Sequence, residues 1–266
     1  MTITRDIADC VDWRIPSTTF ELIQEAADCY SDNLVLSASN RRDLTFNGLR
    51  VLRDEIVAEI RSVGIRRNDR VAIVLPNGPE MAAAFVTVSS AGTCAPLNPG
   101  YQQEEFRFYL SDLNARAVIV LDGMDSPVRA VAAELDIPVL ELSPRQDGEA
   151  GQHTLAGYGE TPTRATDDVV QPDDIALVLH TSGTTSRPKI VPLTHANICQ
   201  SAQAIATTLR LSPEDRCLNV MPLFHIHGLM ASLLASIHAG ANVVCSSGFN
   251  SDEFFPWLKE FRPTWY

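Results

Sequence analysis

A regular alternation of strand-like and helix-forming segments between residues 71 and 142 is the feature that most restricts the fold. The run VAIVLP at 71–76 is continuous and β-branched, and residues 79–92 follow it with helix formers that end on a glycine. This order is typical of a buried strand followed by a helix. The following segments alternate in the same way and are predicted as helix 104–113, strand 116–122, helix 127–135 and strand 138–142. Such alternation favours an α/β fold with mostly parallel sheets flanked by helices.

The alternation stops between residues 143 and 174, where Gly, Pro, Thr and acidic residues dominate. We interpret 143–174 as a linker that joins a first α/β lobe at 1–142 to the start of a second lobe at 175–266. The elements predicted in the second lobe are two strands around a polar turn, a helix at 194–209 with Thr194 as N-cap, a strand ending near Met221, a helix at 228–240, a strand at 241–246 and a helix at 251–261.

The polar turn TSGTTSRPK, at 181–189, joins the apolar runs IALVLH and IVPL. Gly183 lets the backbone approach a ligand closely. Hydroxyl groups and successive backbone N–H groups form a concave surface of the kind that binds anions, and Arg187 and Lys189 add positive charge. The hydroxyl side chains belong to Thr181, Ser182, Thr184, Thr185 and Ser186. Together these features predict a phosphate-binding turn.

Two other interpretations of the turn are open. The P-loop of phosphoryl-transferring NTPases has the Gly-to-Lys separation that Gly183 and Lys189 show. However, Pro188 has no N–H to donate where that motif has its second glycine, and Ile190 replaces the hydroxyl residue that binds magnesium. A strand-like run also follows Lys189 where the P-loop requires a helix, so a kinase or ATPase is disfavoured. The second alternative is a solvated hairpin loop without a ligand.

The order of residues in TSGTTSRPK closely resembles the signature of the adenylate-forming superfamily, the AMP-forming acyl-CoA synthetases and their relatives, roughly (S/T)-S-G-(S/T)-T-G-x-P-K-G. The sequence departs from the pattern at Ser186 and Ile190, where the family usually has glycine. Serine at the first of these positions resembles the oxalate–CoA ligase branch, and Ile190 has no explanation from the sequence. The segments at 69–99 and 221–229 are similar to the same family.

The resemblance implies the layered αβαβα N-terminal domain of these enzymes and a reaction in two steps. A carboxylate attacks the α-phosphate of ATP bound to Mg²⁺, giving acyl-AMP and pyrophosphate, and the thiol of coenzyme A then displaces AMP. The small-molecule carboxylate, ATP, Mg²⁺ and coenzyme A are thus the implied ligands. The resemblance assigns catalytic roles to Lys189 and His225. It assigns nucleotide binding to Thr181, Ser182, Gly183, Thr184, Thr185, Ser186 and Lys189.

The segment MPLFHIHGL places His225 and His227 on one face of an extended chain. A zinc site would need further ligands, and only His238 is a candidate, so no metal site is predicted. Hydrogen-bonded core histidines are the alternative. The resemblance implies that His225 lines the carboxylate substrate and moves between the two half-reactions. His227 is a candidate for binding the second carboxylate of a short dicarboxylate such as oxalate; malonate, fatty and aromatic acids are the alternatives.

The charge balance and the apolar pattern exclude several classes of partner. Lys and Arg total 21 against 33 Asp and Glu, giving a net charge of −12, which argues against a nucleic-acid or anionic-membrane surface. No apolar run approaches the roughly 18 residues of a membrane helix, and residues 1–14 lack the apolar core of a secretory signal. The 6 cysteines contain no C-x-x-C pair. We therefore expect a protein of the reducing cytoplasm.

Several motifs of the resembled family have no counterpart after the turn. These are the Y-G-x-T-E motif, the ribose-binding aspartate, the hinge and the C-terminal lysine segment; YGET at 158–161 precedes the turn and is treated as chance. We therefore expect an N-terminal portion that lacks the C-terminal domain and is inactive alone. Its uncovered apolar surface is expected to favour a homo-oligomer. A noncatalytic nucleotide-binding module is the alternative from another functional class.

Overall fold

The computed structural model describes residues 15–145, 147–157, 168–181 and 188–266, which form two sheets with helices around and between them. The strands are β1 Leu34–Ser37, β2 Leu44–Thr45, β3 Arg70–Val74, β4 Thr93–Pro96, β5 Ala117–Leu121, β6 Val139–Pro144, β7 His153–Ala156, β8 Ile175–Thr181, β9 Lys189–Thr194, β10 Arg216–Asn219 and β11 Asn242–Cys245. The helices are α1 Thr19–Tyr30, α2 Phe46–Ser62, α3 Pro79–Ser89, α4 Gln103–Leu113, α5 Pro127–Glu134, α6 His195–Leu209, a π-helix at His227–Leu234, α7 Ala235–His238 and α8 Ser251–Phe261.

The larger sheet has seven strands in the order β7-β6-β5-β3-β4-β8-β9. Its inner strands pair in parallel, whereas β7 and β9 pair antiparallel at the two edges. Strand β3 shows why the inner runs are continuously apolar. Val71 and Ile73 pack into the main core, whereas Ala72 and Val74 pack into a second core with α4 and α5 on the opposite face. Helices thus cover both faces, as parallel sheets require.

The four-stranded sheet has the order β10-β11-β1-β2, with β1 parallel to β11 and antiparallel to β2. The main core lies between the two sheets and contains the buried faces of α1, α2 and α3. Every residue of α3 from Met81 to Ser89 is buried, because this helix is enclosed on all sides. On the outer face of the smaller sheet, Trp257 of α8 packs with Leu218 and Val244. The layers therefore run αβαβα.

This architecture confirms the predicted fold class, and the helices and strands predicted between residues 71 and 142 are all present. The N-cap prediction at Thr194 is also correct, because its side chain accepts a hydrogen bond from the Asn197 N–H. The sequence reasoning did not identify α1, α2 or the strands β1, β2, β4 and β7. The missed strands span only two to four residues each, too few for a period-two pattern to stand out.

Neither sheet follows the predicted division into lobes at 1–142 and 175–266. The larger sheet combines β3 to β6 with β8 and β9, and the smaller sheet combines β1 and β2 with β10 and β11. Within the predicted linker, residues 153–156 form β7, which pairs antiparallel with β6. Strands distant in sequence can become neighbours in a sheet through crossover connections, so a polar stretch between them does not mark a boundary between sheets.

The helix predicted at 228–240 begins one residue earlier and is π-helical over its first part. Residues 227–234 are in the π conformation and residues 235–238 continue as α-helix. A Cβ atom on Gly228 would lie 2.7 Å from the Pro222 carbonyl oxygen, so glycine is needed for this close approach of two backbone segments. Periodicity cannot distinguish the two helix types over so few residues.

In the part of the chain that the structure describes, every helix is too short or too polar to span a bilayer.

Candidate functional site

Strands β8 and β9 form an antiparallel hairpin that presents the two ends of the polar turn. Thr181 and Lys189 are direct cross-strand partners at the end of this hairpin, and both are exposed. Leu179 pairs with Val191 two residues earlier along β8, so the two pairs lie on the same face of the hairpin. The remaining predicted nucleotide-binding residues, Ser182, Gly183, Thr184, Thr185 and Ser186, lie outside the described residues, as does Arg187.

The conformation of the chain after Lys189 distinguishes the P-loop from the turn of the adenylate-forming enzymes. Residues 189–194 form β9, so a strand follows the lysine, and the helix on which a P-loop depends is absent from this position. Ile190 pairs with His180 and packs, half-buried, against the core between the larger sheet and α4 and α5. The isoleucine that departs from the family signature therefore has a packing role on the opposite face of the hairpin from Lys189.

A cavity of about 770 Å³ lies against the face of the hairpin that carries Thr181. Its walls come from β8, β9, the first three turns of α6, the segment that leads into the π-helix and the first turn of the π-helix itself. Most of the lining is apolar and includes Leu179, Val191, Leu193, Ile198, Phe224 and Met230. The polar side chains of the lining belong to Thr181, Asn197, Ser201, His225 and His227, and the His180 position of β8 also borders the cavity. An apolar cavity with a few convergent polar groups is the usual form of a small-molecule site.

The structure brings His225 and His227 to this cavity, and both side chains are exposed. The His225 backbone N–H donates to the Pro222 carbonyl at 3.1 Å, and its own carbonyl accepts from the Leu229 N–H at 3.2 Å. The two histidines are therefore held at the entry to the π-helix, where the turn at 222–225 meets helical structure. Local π-helical geometry is frequent at functional sites because it redirects side chains.

The first turns of α6 supply polar groups that the sequence reasoning did not select. The Thr194 side chain accepts from the Asn197 N–H at 3.1 Å, and the Asn197 side chain accepts from the Thr194 N–H at 3.2 Å, which completes a capping box. Asn197 and Ser201, one helical turn apart, both line the cavity. Their spacing four residues apart behind a predicted N-cap is the signal that could have identified them.

His180, the residue before Thr181, is a further group that the sequence reasoning did not select. Its Nε2–H donates to the Asp112 carboxylate at 3.1 Å. Burial lowers the pKa of His180, and the neighbouring Asp112 carboxylate opposes that shift. The imidazole is thus favoured in its neutral form with the proton on Nε2. No local pattern predicts this pair, because 68 residues separate its members in sequence.

Aspartate and glutamate are absent from the cavity lining given above. Within residues 15–145, 147–157, 168–181 and 188–266, no group of three or more His, Cys, Asp or Glu side chains could hold a metal ion. His225, His227 and His238 accordingly do not assemble into the zinc site considered from the sequence. The described part of the site offers hydroxyl, amide, imidazole and ammonium groups, which suit anions and neutral polar groups better than cations.

Comparisons with known proteins agree with this geometry. Residues 23–266 match the family model described as "AMP-binding enzyme". The chain is 37% identical over 249 residues to an oxalate–CoA ligase from Arabidopsis thaliana, covering 92% of this chain and 48% of that protein. It is 36% identical over 222 residues to an oxalate–CoA ligase from Saccharomyces cerevisiae, covering 75% of this chain and 41% of that protein. The chain thus spans about half the length of the curated relatives it matches.

Solved structures show the same fold. The apo structure of MbtA from Mycobacterium smegmatis superposes with a TM-score of 0.76 at 28% identity, covering 97% of this chain and 49% of that one. The ATP-bound structure of MatB from Rhodopseudomonas palustris gives a TM-score of 0.72 at 24% identity, covering 92% of this chain and 48% of that one.

Proposed function

Because this chain belongs to the AMP-binding enzyme family, we propose that it supplies the phosphate-binding turn and part of the carboxylate site of an AMP-forming carboxylate–CoA ligase. The observation that carries the proposal is the grouping around one cavity. Thr181, His225 and His227 line it, and Lys189 is the cross-strand partner of Thr181 at its edge. The oxalate–CoA ligases among the relatives support the same reaction class.

A carboxylate is a poor electrophile because its negative charge is delocalised over two oxygens. Adenylation joins one of these oxygens to the α-phosphate of ATP and releases pyrophosphate, so AMP becomes a good leaving group, and the coenzyme A thiol then displaces AMP to form the thioester. In this proposal, Lys189 and the hydroxyl of Thr181 hold the outer phosphates of ATP while negative charge develops on the departing pyrophosphate. His225 orients the carboxylate from the opposite side of the cavity. These contributions are positional and electrostatic, because none of these residues forms a covalent bond to the substrate in the proposed reaction.

Magnesium would screen the phosphate charge of ATP when bound. The described residues that line the cavity include no carboxylate, so no direct magnesium ligand is assigned among them. Coenzyme A enters only in the second half-reaction, and its thiol must reach the acyl carbon at the same cavity.

The short dicarboxylate is the favoured substrate class. Two histidines, His225 and His227, border the part of the cavity proposed to bind the carboxylate, and the relatives at 36% and 37% identity are oxalate–CoA ligases.

Replacing the signature lysine tests the proposal. Lys189→Ala is expected to weaken binding of Mg·ATP by about tenfold to a hundredfold, the loss typical of one charge-assisted contact to phosphate. Titration calorimetry on the 266-residue chain measures it. The chain has one other lysine, Lys259, which is exposed on α8 on the outer face of the smaller sheet. Lys259→Ala is therefore a matched control for the loss of one positive charge and should bind as the unaltered chain does.

Three outcomes would contradict the proposal. If the unaltered chain does not bind ATP, a module that binds no nucleotide is favoured. If the unaltered chain and Lys189→Ala bind ATP with equal affinity, the nucleotide binds at another site. An equal loss in Lys189→Ala and Lys259→Ala would attribute the effect to net charge rather than to a contact with phosphate.

A further inference from the structure

The strand that leads into the polar turn is tied to a helix by a hydrogen-bonded side-chain pair. His180 lies at the end of β8, and its Nε2–H donates to Asp112 Oδ2 of α4 at 3.1 Å. The His180 side chain is only 5% exposed, whereas Asp112 is 39% exposed. Because the imidazole is enclosed and the carboxylate reaches it from another element, the pair joins β8 directly to α4 near the cavity.

Aromatic contacts fix the orientation of the same imidazole. The His180 ring meets the Tyr109 ring edge-on with 4.6 Å between centroids, and Tyr109 stacks on Tyr101 at 4.7 Å. Tyr109 and Asp112 are three residues apart on α4 and therefore lie on one face of that helix. One helix face thus supplies both the ring contact and the hydrogen-bond acceptor, which together leave the imidazole little rotational freedom.

The position of the pair matters because β9 is an edge strand. In the seven-stranded sheet, β9 is bonded to β8 alone. Its first residue, Lys189, pairs with Thr181, and the next pair inward is Ile190 with His180. The end of the hairpin at Lys189 therefore depends on β8 for its position. His180 is one residue from that end of β8, and its side chain is hydrogen-bonded to α4. A tether at this pair limits the movement of Lys189 relative to the cavity.

We propose that the His180–Asp112 pair, supported by the Tyr109 ring, is a positioning device that fixes the end of the β8–β9 hairpin and holds Lys189 in place for phosphate binding. The inference rests on the proposed function for its purpose, and on the contacts above for its geometry. His180 acts through the backbone of β8, so it is a positioning residue. Asp112 is partly exposed, so the pair should contribute little to the stability of the whole domain and act mainly on the hairpin.

Lysine-specific proteolysis measures the hairpin end directly. The only two lysines of the chain are Lys189 at the hairpin end and Lys259 in α8, so endoproteinase Lys-C has one test site and one internal reference site. His180→Phe keeps a ring against Tyr109 but removes the hydrogen bond, and Asp112→Ala removes the acceptor. Both are expected to raise the rate of cleavage after Lys189, relative to that after Lys259, by about threefold to tenfold.

Two further variants separate the pair from general destabilisation. Asp112→Asn keeps an acceptor oxygen for the Nε2–H and should restore most of the protection. Ser111→Ala changes the adjacent exposed position of α4 and should cleave as the unaltered chain does. Equal acceleration at both lysines, or an unchanged ratio of the two rates in His180→Phe and Asp112→Ala, would overturn the proposal.

Mg·ATP titration of the same variants connects the geometry to function. We expect His180→Phe to weaken ATP binding by about threefold to tenfold while Asp112→Asn stays near the unaltered chain. Increased cleavage after Lys189 with unchanged ATP affinity would overturn the positioning role. If the unaltered chain binds no ATP but the proteolysis result holds, the proposed function fails while the tether itself stands, so the two failures are distinguishable.

Discussion

Two buried histidines are held in their neutral forms by the folded structure. The Thr19 N–H donates to His195 Nδ1 at 3.2 Å, which joins the start of α1 to the start of α6. His153 donates from Nδ1 to the Gly151 carbonyl at 2.8 Å. Burial lowers the pKa of each to about 4. Protonation of His195 would remove the acceptor for Thr19, and protonation of His153 would place a charge in the core.

These two residues predict that acid destabilises the fold. In the unfolded chain their pKa values are about 6.5, so between pH 6.5 and 4 the unfolded state binds more protons than the folded state. The free energy of unfolding should therefore fall as the pH falls, by about 1.4 kcal/mol per pH unit for each histidine. Urea unfolding at pH 7, 6 and 5 measures the slope. His195→Asn should remove the contribution of His195 from the dependence of the unfolding free energy on pH. An unchanged slope in this variant would disprove the role of His195.

His227 carries the prediction about substrate. If its side chain binds a second carboxylate, the chain should bind oxalate more tightly than acetate, and His227→Ala should reduce the oxalate affinity by about tenfold with little change for acetate. Calorimetric titration of both acids in the presence of ATP provides the comparison, with acetate as the internal control. Equal affinity of the unaltered chain for oxalate and acetate would rule out this role.

At the scale of the element, the π-helix sets the direction of the two cavity histidines. Its start depends on Gly228, since an added Cβ would lie 2.7 Å from the Pro222 carbonyl oxygen and 3.3 Å from that of Met221. Both neighbours are backbone atoms and cannot move away independently. A side chain at this position must therefore separate the helix from the segment that carries His225.

Gly228→Ala is expected to lower the free energy of unfolding by about 1–3 kcal/mol, as overpacking against backbone does. It should also weaken carboxylate binding, because His225 and His227 shift with the helix start. Gly100→Ala is the matched control, because its Cβ would approach only the Asn98 side chain, at 3.3 Å, and no backbone atom within 4 Å. Chemical unfolding compares the two variants. Equal stabilities would show that the close approach at Gly228 is not required.

At the scale of the whole molecule, the chain corresponds to about half the length of its curated relatives. We therefore expect it to bind Mg·ATP but to form no acyl-CoA by itself, since the later motifs of the family have no counterpart in its sequence. An assay with ATP, coenzyme A and a panel of carboxylates tests this, with Lys189→Ala as the background. Thioester above that background would mean that these residues suffice for both half-reactions.

The sequence by itself determined the alternation of strands and helices between 71 and 142, the N-cap of α6 and the strand that follows Lys189, because these depend on local periodicity and capping chemistry. It also determined the family through the order of residues in the turn. Tertiary structure alone decided that β1 pairs with β11, that His180 reaches Asp112, and that the hairpin, α6 and the π-helix enclose one cavity. Parallel pairing and side-chain contacts join segments far apart in sequence, and no local pattern records which distant partner each will meet.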